Sequence, residues 1–172
     1  MENQSSKNKN ELITLIYKAY DIIGNFTPIK ADCGKLCDKI CCKGEEAGML
    51  LFPGEETIFD GIVGFNIEEI EYMDTNGIKL LMCDGECERA MRPFSCRIFP
   101  VAPYIDKNGN IDAIPDIRGR RMCPIWDLKH VDKNFINAVK KAFELLAEND
   151  KMLKLMKLIS REVDELKRFY KK

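Results

Sequence analysis

Between residues 9 and 24 the apolar positions Leu12, Ile13, Leu15, Ile16, Ala19, Tyr20 and Ile23 recur at the spacing of one helix face, and Gly24 and Asn25 follow as stop signals. This predicts an amphipathic helix. The same periodicity returns after Asp132, first in Phe135, Ile136, Val139, Ala142, Phe143, Leu146 and Ala147, then in Met152, Leu153, Met156, Ile159, Val163, Leu166 and Phe169. Asn149-Asp150 reads as a break and new N-cap between two C-terminal helices. That stripe could dock a partner protein, but amphipathic helices usually cover their own domain, so packing against the first helix is the expectation. Lys167, Arg168, Lys171 and Lys172 suit a helix C-terminus, where cations meet the negative end of the macrodipole.

The middle of the chain has a different grammar. Residues 64 to 82 alternate in part and contain Asn76-Gly77, a dipeptide suited to the positive φ angles of a tight turn, so two antiparallel strands are expected there. The run VAPYIDKNGNIDAIPDI repeats the device around Asn108-Gly109. Its Asp106, Asn108, Asn110 and Asp112 loosely suggest a calcium loop, but an EF-hand requires glycine at its sixth position and here Gly109 is fourth. A plain hairpin is the better reading. The expected fold is α+β and helix-rich, with small hairpins around a cysteine-ligated metal centre and helices at both ends. Three segments result: an N-terminal helix over 1–30, a cysteine-rich metal-binding unit over 31–125, and a C-terminal helical segment over 131–172 packed on it.

The 172 residues are 45% hydrophobic and 32% charged with a net charge of −1, a balance that excludes a disordered chain and a bulk polyanion binder. No nucleic-acid partner is expected. No stretch approaches the roughly 18 apolar residues of a membrane span, and LITLIY near the start is too short for a secretion signal. The expected compartment is therefore the cytoplasm, with no membrane partner, and thiols there are kept reduced. Eight cysteines in that setting point to metal rather than disulfides.

Their spacing carries the chemistry. Cys33, Cys37 and Cys41 stand at i, i+4 and i+8, which gives one thiol stripe on a helix or convergent sulfurs in a knuckle, and Cys42 adds a fourth. The flanking residues Lys35, Asp38, Lys39 and Lys43 are not those of an apolar core. A second group, Cys83, Cys87 and Cys96, lies in CDGECERAMRPFSCRIFP, and Cys123 stands alone before Pro124. Separated groups of cysteines are the usual arrangement of a closed site, because the intervening chain must fold back to complete four-coordination. All eight are candidate ligands. Arg89, Arg92, Arg97, Lys35 and Lys39 supply positive charge that favours thiolates.

The run from CGKLCDKICC through PGEE to RPFSCRIFP resembles the YkgJ-type cysteine-cluster family, a zinc- or iron-chelating domain whose pattern ends in RPxxCRxFP. That motif is met at Arg92, Pro93, Cys96, Arg97, Phe99 and Pro100, and the resemblance covers about residues 31 to 104. It implies a metal-chelating domain. The expected cofactor is an iron–sulfur cluster or zinc, serving a redox or accessory role; a structural zinc interaction module with a protein partner is the alternative, and a group-transfer enzyme comes third.

Other side chains offer less. His130 could be imagined beside a cysteine nucleophile but reads as a surface or capping residue. Glu55, Glu56, Glu68, Glu69 and Glu71 sit where exposed loop and hairpin residues are expected, and Trp126 and Phe94 read as core or cluster-shielding residues.

Overall fold

The computed structural model describes residues 2–31, 33–43, 48–85 and 87–170. Its helices are α1 (Glu2–Ile23), the short α2 (Gly34–Cys37), α3 (Glu55–Phe59) and α4 (Phe94–Ile98), and the long α5 (Lys133–Leu146) and α6 (Asp150–Tyr170). Strands β1 (Gly48–Leu50), β2 (Phe65–Tyr72) and β3 (Thr75–Cys83) form an antiparallel sheet in the order β1-β3-β2, and β4 (Val101–Ile105) pairs with β5 (Ile111–Pro115). The helix-rich α+β fold with helices at both ends is therefore present. Lys171 and Lys172 lie outside the described residues.

One buried cluster joins the three sequence segments. Ile16, Ala19 and Ile23 of α1 meet Phe135, Val139 and Phe143 of α5, while Phe94, Ile98, Val101 and Ala102 enter the same cluster from the middle of the chain. Helix α6 adds Met152, Met156 and Ile159 and is tied to β4 by the Tyr104 hydroxyl on Asp164 (3.0 Å) and by the Ile105 N–H on Ser160 (2.9 Å). The expected break between the C-terminal helices falls at Asn149, whose side chain caps α6 by accepting from the Lys151 N–H at 3.0 Å. Asp132 caps α5 in the same way through Asn134 at 2.8 Å.

The first hairpin departs from its expected turn. Tyr72 pairs with Thr75, so the reversal is made by Met73 and Asp74, both left-handed, and not by Asn76-Gly77. Between the Ile70–Ile78 and Tyr72–Thr75 pairs, two residues of β3 oppose one of β2, and Gly77 at φ +83° supplies the left-handed residue of that bulge. Within the dipeptide only Gly77 takes a positive φ, and the register places it in the bulge instead of the expected turn. In the second hairpin the Asp106 carboxylate accepts from the backbone N–H of Asn108 and Asn110, both at 2.8 Å, which closes the loop.

Candidate metal centre

The first cysteine segment is a knuckle. Cys33 precedes the single turn α2, and the chain then passes through Asp38 and Lys39, left-handed at φ 51° and 55°, with the Lys39 N–H closing on the Gly34 carbonyl at 2.9 Å. Two successive left-handed residues that are not glycine end any helix. The continuous i, i+4, i+8 stripe is thus broken after Cys37, and a 3-10 turn at Ile40–Cys42 redirects the last two thiols. Cys41 and Cys42 end side by side with Sγ atoms 3.9 Å apart, and the Cys37 thiol donates to the Cys33 carbonyl at 3.8 Å.

The second segment is pressed against the first. Cys83 closes β3, and Gly85 follows at φ +80°, where a Cβ would stand 2.4 Å from the Cys42 carbonyl oxygen. Only glycine allows that approach. Cys87 then leads into a 3-10 turn at Arg89–Met91 and to α4, which presents Cys96. Arg97 folds back onto the turn, its Nε donating to the Arg92 carbonyl at 3.0 Å and its Nη2 to the Ala90 carbonyl at 2.6 Å, with the guanidinium 4.1 Å from the centre of the Tyr20 ring. Cys123 is held by its N–H on the Gly119 carbonyl at 2.8 Å.

These segments bring all eight cysteines to the walls of two abutting cavities. The larger is a cleft of about 1110 Å³ with Cys42, Cys83, Cys87 and Cys96 on its wall. The smaller, about 20 Å³, has Cys37 and Cys123. Cys33, Cys41, Ile40 and Phe99 stand on the walls of both. None of the eight is in a disulfide.

Charge is arranged around the larger group. The Cys41 hydrogen bond, with help from Arg92 and Lys39, draws the Cys42 thiol down to about 6, and the same bond pushes Cys41 up. Burial raises Cys96, and the thiols of Cys42, Cys83 and Cys87 add to the rise. Burial also raises Cys87, with Cys83 second, while the nearby Arg92 opposes the rise. Cys123 is raised by burial, then by Cys37 and Cys33. Burial and the nearby Arg97 and Arg92 lower Arg89, whose guanidinium donates to the Phe26 carbonyl. Among the described residues Arg89 and Arg97 donate to neutral carbonyls and make no carboxylate ion pair, which leaves their charge available to the thiols. Arg92 Nε is buried with no hydrogen-bond partner among the described residues.

Sequence reasoning missed the carboxylate beneath this site. Glu55, expected to be exposed, is fully buried. It accepts hydrogen bonds from the Tyr20 hydroxyl and from the N–H groups of Phe52 and Phe94, each of those two at 2.7 Å. Burial pushes its carboxyl up to about 7 against the pull of these three donors. The group ties α1 and α3 to α4, two residues before Cys96. Phe94 is a core residue, edge-on to Phe52, Tyr20 and Phe143. Trp126 is half-buried with its Nε1 unpartnered among the described residues, and His130 is exposed.

Among the described residues no three His, Cys, Asp or Glu side chains stand in the arrangement of a metal-ion site. What fits a metal is the donor set and its setting: eight thiols on the walls of two adjoining cavities, with three guanidiniums that make no carboxylate ion pair among the described residues lining the larger one. Comparison with family models, with curated proteins and with solved structures gives no match to this chain.

Proposed function

We propose that this chain is a metal-binding protein of the cytoplasm that holds an iron–sulfur cluster or zinc through its cysteines and acts in a redox or accessory role. The carrying observation is that every cysteine in the chain lines one of two cavities that share a wall. Buried cysteines used only for packing would be scattered through the core, and the largest core cluster holds Cys33 and Cys123 only at its edge. The match of RPFSCRIFP to the YkgJ-type pattern supports the same reading. Four thiolates around a divalent ion, or around a cluster core of charge +2, leave a net −2 that Arg89, Arg92 and Arg97 offset. Bound there, the group would supply electron transfer if iron–sulfur or a rigid cross-link if zinc. No helix of the described residues is long and apolar enough to cross a membrane.

Iron, zinc and acid-labile sulfide, measured on protein purified anaerobically without chelators, test this. Near-stoichiometric metal is the expected outcome. Less than about 0.2 equivalents of iron plus zinc, with eight thiols titrating rapidly, would end the proposal.

One observation favours a second reading, that of a group-transfer enzyme. The cleft beside Cys42, Cys83, Cys87 and Cys96 reaches the size at which small-molecule ligands are enclosed. On this reading a metal with an open position would face a substrate held by the arginines. Metal loading with no small-molecule turnover or binding would leave the first reading alone.

A further inference from the structure

Four-coordination sets a limit on how the eight cysteines can be used. The cleft already has four thiols that do not reach the smaller cavity: Cys42, Cys83, Cys87 and Cys96. The smaller cavity has two of its own, Cys37 and Cys123, and the two on the dividing wall, Cys33 and Cys41, are the sulfurs that would complete it. A tetrahedral thiolate site needs four ligands and no more. We infer that the chain carries two separate four-cysteine metal sites, Cys33–Cys37–Cys41–Cys123 and Cys42–Cys83–Cys87–Cys96, divided at the Cys41–Cys42 peptide. The inference rests on the reading that these cysteines bind metal.

Two further observations support the division. Ile40 and Phe99 also line both cavities, so part of the boundary between them is apolar. After the left-handed pair Asp38–Lys39 and the 3-10 turn, Cys41 lines both cavities and Cys42 the cleft alone, so the boundary falls between two thiols whose Sγ atoms stand 3.9 Å apart. The two sites also differ in setting, since Arg89, Arg92 and Arg97 line the cleft and do not line the smaller cavity. The smaller one, with room for about one water-sized body, fits an ion more readily than a large ligand.

The test is a cobalt(II) titration of the reduced, metal-free full chain, read by thiolate-to-cobalt charge-transfer absorption. Wild type should saturate at two equivalents. The paired variant Cys37→Ser/Cys123→Ser should lose one equivalent and keep the other, and Cys83→Ser/Cys96→Ser should do the reverse, because serine nearly preserves volume but is a poor soft ligand. Far-UV circular dichroism checks that each variant keeps its helices. If a variant loses them, the wild-type stoichiometry decides on its own. Saturation of wild type at one equivalent, or loss of all binding in both folded variants, overturns the two-site inference and leaves the metal reading intact. No cobalt–thiolate band in wild type overturns both.

Discussion

Glu55 offers a test of how the cysteine-bearing helix is held in place, independent of any metal. Its carboxyl receives the Tyr20 hydroxyl from α1, the Phe52 N–H before α3 and the Phe94 N–H at the start of α4, and it has no exposed surface. In Glu55→Ala the hydroxyl can rotate, but the two backbone N–H groups are stranded, each costing about 1–3 kcal/mol. The truncation adds a cavity term, so the loss should be about 4 kcal/mol, a large share of the roughly 5–15 kcal/mol that holds a domain together. For a chain of this size Tm should fall by roughly 10 °C. The pH dependence is a second readout. With the carboxyl raised to about 7 from an ordinary 4.5, the folded state favours the neutral form. The associated stability is therefore complete below about pH 4.5 and is lost as pH rises through 7, by on the order of 3 kcal/mol. Urea unfolding of wild type and Glu55→Gln at matched metal content, from pH 4.5 to 8, isolates this term. The wild-type advantage should shrink across that window and level off above it. A difference flat in pH would mean that the three donors keep Glu55 ionised throughout, and a loss under about 1 kcal/mol in Glu55→Ala would refute its role as the tie.

Other expectations follow from the same geometry. Gly85→Ala places a Cβ 2.4 Å from the Cys42 carbonyl at a φ of +80°, so it should push the 83–87 loop off Cys42 and lower metal retained after gel filtration at least several-fold, while α5 and α6 keep their helical signal. In the metal-free protein the alkylation rate of Cys42 should rise with pH through an inflection near 6, and Cys41→Ala should move it up toward the ordinary thiol range; mass spectrometry of the labelled site reads both. Ser95→Ala strands the Leu50 carbonyl, now bonded at 2.6 Å, and should cost about 1–2 kcal/mol in denaturant unfolding. Removing metal under reducing conditions should speed amide exchange in 33–43 and 83–92 but not in α4 or β4, because Phe94, Ile98, Val101 and Ala102 belong to the core shared with α1, α5 and α6; exchange accelerated throughout would show that the core depends on the metal.

The long helices were legible because each writes its buried face locally, in residues three and four apart such as Ile16, Tyr20 and Ile23 or Phe135, Val139 and Phe143. Asn149 was legible as part of the break and cap between the last two helices for the same reason. The turn of the first hairpin was not, since Met73 and Asp74 carry no turn signature and adopt left-handed φ only because the β2–β3 register demands it. Glu55 was unreadable on different grounds. Its partners Tyr20 and Phe94 are 35 and 39 residues away, and a carboxylate in PGEE shows nothing locally of donors that converge from two other helices. The cysteines were legible as a set, whereas their division between cavities depends on the bend after Cys37, and aspartate and lysine do not announce a left-handed pair.

The RPFSCRIFP run shows why so long a motif surrounds one thiol. Of its residues only Cys96 offers sulfur, and its neighbours fix that sulfur's position. Phe94 anchors α4 in the core and lends its N–H to Glu55; Ser95 ties the helix to the carbonyl of Leu50 at the end of β1. Arg97 joins the preceding turn to α4 and stacks on Tyr20, and Phe99 becomes part of the wall between the cavities. A five-residue helix is too short to be stable on its own, so its thiol can be placed accurately only if each remaining turn is held by something outside it. The supporting contacts around a ligand matter for that reason as much as the ligand does. The motif is therefore a pedestal: substitutions at Phe94 or Ser95 act on where Cys96 points, whereas Arg97 both braces the turn and places positive charge on the wall of the cleft.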